Sequence, residues 1–327
     1  KETYAKSIPR SLPTRFTENF VKNSSRPDAI RAMAIKIIEH PAQELEILLP
    51  LLSNDKAPIL QLEAVRSLAT IADSAVADRL LALAFRQTAT PPNRSEALLA
   101  LTRQPLDVSA RVLALLNDPA PDVQLEAARY LRGYAAVPVV RKALHTKHQA
   151  KGTAPAIKEQ IALATGEKNT APPRPSSYED WEKVLEKPGD PVRGRRVFYA
   201  SQALCSSCHA VQGRGGDLGP DLSNVGQSKS HAQLVRSILR PSAEITPEWQ
   251  GWYVQLNNGN YYQGRQIDVG EKSIELYTQA TGFQNFPKKD IKDYGMIKNS
   301  LMPDGLENQL TVSDLRDLMT FLKSEKK

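Results

Sequence analysis

Cysteine is nearly absent from this sequence, because its 327 residues contain only two, Cys205 and Cys208. Two thiols this close in sequence cannot staple a large domain, and a four-cysteine zinc site needs twice as many. Long apolar runs are missing too: no stretch of about 18 apolar residues occurs, so we expect no transmembrane segment. The two cysteines therefore need a local explanation.

An excess of one charge is absent from the second half of the chain. The net charge is +7, and residues 1–176 hold 24 Lys and Arg against 17 Asp and Glu, whereas residues 177–327 hold 19 of each. We interpret the basic residues of the first half as spread over helix surfaces instead of forming a block, and no RNA- or DNA-binding motif accompanies them. The sequence therefore predicts no nucleic-acid partner.

The first half is a succession of helical segments that repeats itself. Residues 61–68 (QLEAVRSL) return as 124–131 (QLEAARYL), with 95–101 (SEALLAL) between them, and successive Glu-Ala pairs are 33 and 30 residues apart. Repeats of this length, with Ala where helices meet and Leu or Val on the inner stripe, are typical of an α-solenoid and resemble HEAT repeats. We predict a HEAT-like domain over residues 1–165, with an irregular helical bundle as the alternative.

A Pro-rich linker over residues 166–177 separates this domain from a second one, residues 178–327. Caps at Ser177, Asp190 and Thr311 predict three helices, of which the second runs towards Ala203. Residues 231–239 add another helix. Over about 252–293 the pattern changes to period two, with Asn258-Gly259 as a hairpin turn and a further strand at 273–278. The expected fold class is mainly α with a small antiparallel β insertion.

The chemistry-bearing motif is Cys205-Ser206-Ser207-Cys208-His209. Its spacing lets two thiols form thioethers with one haem while the adjacent imidazole ligates the iron. A thioredoxin-like dithiol would need a βαβ setting with the first cysteine at a helix N-terminus, whereas the segment upstream is predicted to be helical. A zinc site lacks two further ligands, and unremarkable free cysteines leave His209 unexplained. The motif predicts one covalent haem c.

Two further residues are candidates around the iron. Residues 213–222 resemble the loop of c-type cytochromes in which a proline carbonyl, here that of Pro220, accepts the second ring N–H of the histidine ligand; an ordinary Gly-rich turn is the alternative. Met302, in a loop before the last helix, is the predicted sixth ligand, and Met296 is the alternative. We assign Met319 and Met33 to hydrophobic cores.

The second domain resembles the haem-binding domain of planctomycete and verrucomicrobial multidomain proteins, a modified class I cytochrome c. The resemblance rests on residues 205–209 (CSSCH), 219–222 (GPDL), 237–242 (SILRPS) and 300–306 (SLMPDGL). It implies an extra β segment between the middle helix and the methionine loop. It also implies that helical repeats commonly precede the cytochrome, and that a dehydrogenase-like domain can precede those.

These features predict an electron-transfer c-type cytochrome that accepts electrons from a partner dehydrogenase domain or subunit and passes them to another carrier. The helical repeats would be the docking scaffold, their basic excess favouring an acidic partner. The sequence favours this, or the cytochrome part of an oxidoreductase, over a self-contained enzyme. The alternatives are a haem enzyme or small-ligand sensor with an open or exchangeable sixth site, and a binding scaffold with a structural haem.

The expected location follows from the chemistry of haem attachment. Thioethers form where reduced cysteines and haem meet outside the cytoplasm, so the motif predicts a periplasmic or exported protein. The chain opens Lys1-Glu2-Thr3-Tyr4, without an initiator Met or an apolar leader. We therefore expect a processed product or a fragment of a longer protein.

Overall fold

The structure is a computed structural model that describes residues 16–168 and 174–326. Its internal contacts divide the chain into two units, Lys1–Lys168 and Asn169–Lys327. Part of the predicted linker, residues 169–173, and the first fifteen residues of the predicted repeat domain lie outside the described residues. Within the described ranges, no helix is long and apolar enough to cross a membrane.

The first unit consists of helices, most of them short. Its α-helices are α1 Asp28–Lys36, α2 Leu45–Leu51, α3 Pro58–Leu68, α4 Ser74–Phe85, α5 Pro91–Leu101, α6 Ser109–Val112, α7 Pro121–Arg132, α8 Pro138–Gln149 and α9 Pro155–Thr165. A π-helix covers Glu18–Lys22, and 3₁₀ turns cover Pro41–Glu44 and Leu113–Asn117. Helices α3, α5, α7, α8 and α9 all begin with proline, which suits the first helical position because that residue has no intrahelical partner for an N–H.

The helices of the first unit are arranged in two layers. The odd-numbered helices α1 to α9 form one row, in which each packs on the next, and each even-numbered helix packs on the odd-numbered helix that follows it. Side chains about one sequence repeat apart meet in this row: Asn93 Nδ2 donates to Gln61 Oε1 at 2.7 Å, and Arg66 Nε donates to Glu96 Oε1 at 3.3 Å. Side chains of successive repeats therefore stabilise the stack directly.

The second unit begins with capped helices. Its α-helices are α10 Tyr178–Leu185, α11 Pro191–Tyr199, α12 Cys205–Cys208, α13 Val225–Ser228, α14 His231–Leu239 and α15 Val312–Ser324, with 3₁₀ turns at Pro247–Trp249, Lys288–Asp290 and Leu306–Gln309. Side chains of Ser177, Asp190 and Thr311 accept hydrogen bonds from backbone N–H groups of the helices they precede, as expected. The prediction that α11 runs towards Ala203 was wrong. The helix ends at Tyr199, whose hydroxyl lies 3.3 and 3.1 Å from the carbonyl oxygens of Val211 and Arg214.

Helices α11 and α15 cross at very close range. A Cβ added to Gly194 would lie 1.9 Å from the carbonyl oxygen of Asp317, so only glycine permits this approach. The Phe198 and Phe321 rings meet one turn further on, with centroids 5.8 Å apart. The crossing holds the segment that leads into the Cys205–Cys208 turn against the last helix of the chain.

The β insertion spans nearly the predicted residues but has five strands where three were predicted. It forms a five-stranded antiparallel sheet in the order β6-β5-β4-β3-β7, built from β3 Gly251–Leu256, β4 Tyr261–Val269, β5 Ser273–Thr278, β6 Gly282–Pro287 and β7 Ile291–Met296. A separate two-residue hairpin, β1 Ala210–Val211 with β2 Arg214–Gly215, follows the cysteine motif and was not predicted. In the sheet, Gly251 lies opposite Arg265. The fold class, mainly α with a small β part, is confirmed.

Candidate haem-binding site

The two cysteines occupy a single helical turn, α12. Leu204 precedes it in the left-handed region, at a φ of 59°, which turns the chain sharply before Cys205. Both thiols are free and half-buried. Cys205 and Cys208 lie one turn apart on a short rigid element, the arrangement that attachment to two points of one planar group requires.

The imidazole of His209 is held through one ring nitrogen. Its Nδ1 lies 2.9 Å from the carbonyl oxygen of Pro220. A carbonyl oxygen only accepts, so Nδ1 carries the proton and the lone pair of the neutral ring is on Nε2. Burial lowers the pKa of His209 and outweighs the hydrogen bond to Pro220, which acts in the opposite direction. The ring is thus neutral and oriented, which is the state a metal ligand needs.

Glycines bring the following loop into direct contact with the motif. A Cβ added to Gly219 would lie 2.5 Å from Cε1 of the His209 ring, and one added to Gly216 would lie 2.2 Å from the carbonyl oxygen of Ser207. Gly215, at a φ of +128°, approaches the His209 carbonyl oxygen in the same way, at 2.1 Å. These contacts explain the glycines at 215, 216 and 219, because a side chain at any of these three positions would displace the motif.

The structure adds to the argument against a redox-active dithiol. The segment upstream of the motif is helical, as predicted, since α11 covers Pro191–Tyr199, although Cys205 is also the first residue of α12. Burial raises the pKa of the Cys205 thiol to about 12. Reactive dithiols have a lowered pKa on the attacking cysteine, because the thiolate is the nucleophile. The burial of Cys205 therefore also argues against a dithiol.

Met302 and Met296 differ sharply in their surroundings. Met302 is half-buried in the loop between β7 and α15, and its backbone N–H donates to Ser300 Oγ at 3.1 Å. The Ser300 N–H in turn donates to Ser242 Oγ, also at 3.1 Å, which ties the loop to the segment after α14. Met296 ends β7, with 66% of its surface exposed. Met302 is thus the more buried of the two candidate ligands, and its loop is tied down by two hydrogen bonds.

The other two methionines were both assigned to hydrophobic cores. Met319, on α15, is 1% exposed and belongs to the core of the second unit. Met33 is 64% exposed on α1, so its assignment to a core was wrong. It projects from the outward face of a helix that buries Ala32, Ala34 and Ile35 instead.

Comparison with known proteins identifies this region. A model of the cytochrome c family matches residues 191–268. Residues 191–268 of the second unit are thus similar to a cytochrome c domain. A relative, the cytochrome c-553-like protein of Synechocystis sp. (strain ATCC 27184 / PCC 6803 / Kazusa), is 32% identical over 68 residues; this segment is 21% of the present chain and 61% of the relative. The domain supports a haem-based role in electron transfer.

The matched region and the candidate site overlap only in part. Residues 191–268 include both cysteines, His209 and Pro220, as well as strands β3 and β4, but end before Met302. The residues present fit haem c: the paired thiols and the oriented imidazole supply the attachment points and one iron ligand, and glycine at 219 leaves room for the imidazole ring. Within the described residues, no group of three or more His, Cys, Asp or Glu side chains is placed to hold a metal ion.

Sequence analysis missed Arg265. Its Nη2 donates to the carbonyl oxygen of Asp217 at 3.2 Å, in the loop that closes over His209. The contact joins residues 48 positions apart in sequence, so it exists only in the folded domain. No sequence signal separates Arg265, in the middle of β4, from other arginines within strands.

Proposed function

We propose that the second unit is a monohaem c-type cytochrome that accepts an electron from a redox partner and passes it to another. Cys205 and Cys208 form the thioethers, and His209 and Met302 are the axial ligands. The observation that carries the proposal is the hydrogen bond from His209 Nδ1 to Pro220, which presents Nε2 as the ligating atom. Bound haem c supplies a one-electron iron couple, and a methionine ligand raises its potential.

The anchored loop around Met302 supports electron transfer over an enzyme or sensor, because a fixed thioether closes the sixth position. The test is the ferric visible spectrum of the haem-loaded chain with Met302→Ala, beside Met296→Ala as the matched control. We expect Met302→Ala to abolish the weak long-wavelength charge-transfer band of methionine-ligated haem and Met296→Ala to leave it unchanged. A spectrum that responds to neither substitution would favour the open-site alternative.

We propose further that the helical repeats dock an acidic redox partner. Residues 127–158 contain seven Lys and Arg and no Asp or Glu, so the basic excess is more concentrated than the sequence interpretation held. Helix α8 and the turn after it expose Arg141, Lys142 and Lys151, with Val139 56% exposed beside them. The carboxylate of Glu167 reaches α8, at 3.0 Å from His145 Nδ1. A cationic face with apolar side chains suits an acidic protein surface.

Charge reversal tests the docking surface. We expect the triple variant Arg141→Glu, Lys142→Glu, Lys151→Glu to bind poly-L-glutamate at least about tenfold more weakly than the unmodified chain at low salt, where exposed charges are least screened. The control reverses three exposed basic residues on other parts of the first unit, Lys56, Arg79 and Arg111. Equal losses in the two triple variants would show that net charge, and not this face, determines binding.

The finer identity also belongs to this proposal. We infer a domain of the planctomycete and verrucomicrobial type, because the five-stranded insertion lies between α14 and the methionine loop, as that resemblance implies. The repeats are of the HEAT type, and haem attachment takes place in the periplasm or outside the cell.

Mass spectrometry of the chain produced with an export signal and a haem-attachment system tests the cofactor. We expect one haem per chain, lost when Cys205 and Cys208 are both replaced by Ser.

A further inference from the structure

The β insertion touches both loops that carry the proposed axial ligands, and it does so at one point of the sheet. Gly251 and Arg265 are opposite each other in the β3–β4 pair. Arg265 reaches the loop on the His209 side, and the backbone at Gly251 meets the loop on the Met302 side. The sheet therefore connects two segments that are far apart in sequence.

On the His209 side, the guanidinium of Arg265 lies close to two aromatic rings. Its Cζ lies 5.0 Å from the centroid of the Trp249 ring and 5.7 Å from that of Tyr277. So positioned, Nη2 donates to the carbonyl oxygen of Asp217. Asp217 is two residues before Gly219, whose backbone lies against the His209 imidazole.

On the Met302 side, the residues that follow Trp249 form hydrogen bonds with the start of the loop that contains Met302. Gln250 Nε2 donates to the Ile297 carbonyl oxygen at 2.5 Å, and the Ile297 N–H donates to the Gly251 carbonyl oxygen at 2.9 Å. A Cβ on Gly251 would lie 2.9 Å from Cγ of Leu301, directly beside Met302 in sequence. Because the Trp249 ring packs on Arg265, the guanidinium also fixes the segment that holds this loop.

We propose that Arg265 is a positioning residue: together with the β3–β4 strand pair it clamps the His209 and Met302 loops and so keeps Met302 on the iron. The inference rests on the proposed function and assigns the β insertion a role in that same site. Loss of the guanidinium frees the Asp217 carbonyl and the Trp249 ring together. The methionine loop then leaves the iron more readily, and an external ligand competes better for the sixth position.

The test is titration of the ferric, haem-loaded full chain with imidazole, together with its midpoint potential. We expect Arg265→Gln to bind imidazole about tenfold more tightly than the unmodified chain, since a hydrogen bond from a charged donor contributes about that ratio to an equilibrium constant. The midpoint potential should fall, because methionine ligation raises it. Arg265→Lys keeps the positive charge but not the planar guanidinium, so its imidazole affinity and midpoint potential should lie between those of Arg265→Gln and the unmodified chain.

Lys288→Gln is the matched control. It removes one positive charge that lies 5.8 Å from the Tyr294 ring in the same insertion. We expect its imidazole affinity to stay within about twofold of the unmodified chain. Equal imidazole affinities of Arg265→Gln and Lys288→Gln would overturn the proposed role of Arg265. An imidazole affinity of Arg265→Lys equal to that of the unmodified chain would also overturn it, because the positive charge alone would then be sufficient. If Arg265→Gln does not fold, the Arg265→Lys titration decides.

Met302→Ala separates this inference from the proposed function. If the Met302→Ala variant has the same ferric spectrum and the same imidazole affinity as the unmodified chain, Met302 is not the ligand, and the proposed role of Arg265 fails as well. If they change with Met302→Ala but Arg265→Gln behaves as the unmodified chain, only the clamp is refuted. The two failures therefore give different results in the same titration.

Discussion

Replacement of Gly219 by alanine tests whether the loop fixes the histidine. The added Cβ would lie 2.5, 2.7 and 3.0 Å from Cε1, Nδ1 and Nε2 of His209, that is, over the ring. Carbon atoms in contact prefer about 3.5–4.0 Å, so the ring or the loop must move by about 1 Å. That shift breaks the 2.9 Å hydrogen bond between Nδ1 and the Pro220 carbonyl oxygen.

The expected loss can be estimated from these contacts. Overpacking costs about 1–3 kcal/mol, and the lost hydrogen bond about 0.5–1.5 kcal/mol. The sum, about 1.5–4.5 kcal/mol, corresponds to a fall in Tm of about 3–18 °C for a domain of this size, at about 2–4 °C per kcal/mol. Thermal unfolding followed at the Soret absorbance reports this unit alone, because only this unit holds the haem.

Gly213→Asn is the control for Gly219→Ala. Gly213 is in the same loop, has a φ of +79° and would place a Cβ within 4 Å of nothing. Asparagine tolerates this conformation, so we expect a Tm within about 2 °C of the unmodified chain and an unchanged haem spectrum. A Gly219→Ala protein that also melts within about 2 °C, with the same spectrum, would show that the loop does not fix His209.

Two further substitutions test the packing of each unit. Gly194→Ala forces helices α11 and α15 apart, and we expect it to lower the free energy of unfolding of the haem-binding unit by about 3 kcal/mol in chemical denaturation. Gly133→Ala is the control: its Cβ would lie 3.7 Å from the nearest atom, and the free energy of unfolding should change by less than about 1 kcal/mol. Asp118→Asn removes one partner of the buried ion pair with Arg94 and should cost the first unit about 3–5 kcal/mol without altering the haem spectrum. A loss below about 1 kcal/mol in either Gly194→Ala or Asp118→Asn would refute the corresponding contact.

The same ion pair predicts a pH dependence. Burial alone would raise the pKa of Asp118, but hydrogen bonds from Arg94, the Ala120 N–H and Gln87 hold it below its ordinary value of 3.8. A lowered carboxylate pKa stabilises the folded state above the unfolded-state pKa, and this contribution is lost as the pH falls through the folded-state pKa. We therefore expect the first unit of the unmodified chain to lose stability below about pH 4, and Asp118→Asn to reduce that pH dependence. Unfolding titrations at pH 3 and pH 7 measure it.

Local sequence rules predicted the starts of α10, α11, α14 and α15 and the hairpin of β3 and β4. The caps at Ser177, Asp190 and Thr311 act within three residues of sequence, and the turn at Asn258-Gly259 joins adjacent strands, so short-range geometry determines them. The end of α11 was missed because it depends on the bond from the Tyr199 hydroxyl to Arg214, fifteen residues away. Strand β7 was missed because it returns across the sheet to pair with β3.

In the candidate site, too, local features could be predicted from the sequence and tertiary contacts could not. Cys205, Cys208 and His209 are adjacent in sequence, and their chemistry could be predicted from spacing alone. The sequence predicted a role for the loop that contains Gly219 and Pro220, but the contact of Gly219 with the imidazole arises only when the loop is folded. Arg265 carries no signal until the register of β3 and β4 places it opposite Gly251.

The choice between electron transfer and ligand chemistry therefore depends on tertiary structure more than on the motif. The CxxCH sequence fixes one axial ligand and leaves the other side of the iron unspecified. A methionine keeps that position only if its loop is held, since an unrestrained loop gains conformational entropy when the ligand leaves. Ser242, Gln250 and Gly251 all bind the loop that contains Met302. The fixed loop is thus the physical basis for expecting an electron carrier, and imidazole affinity is its direct measure.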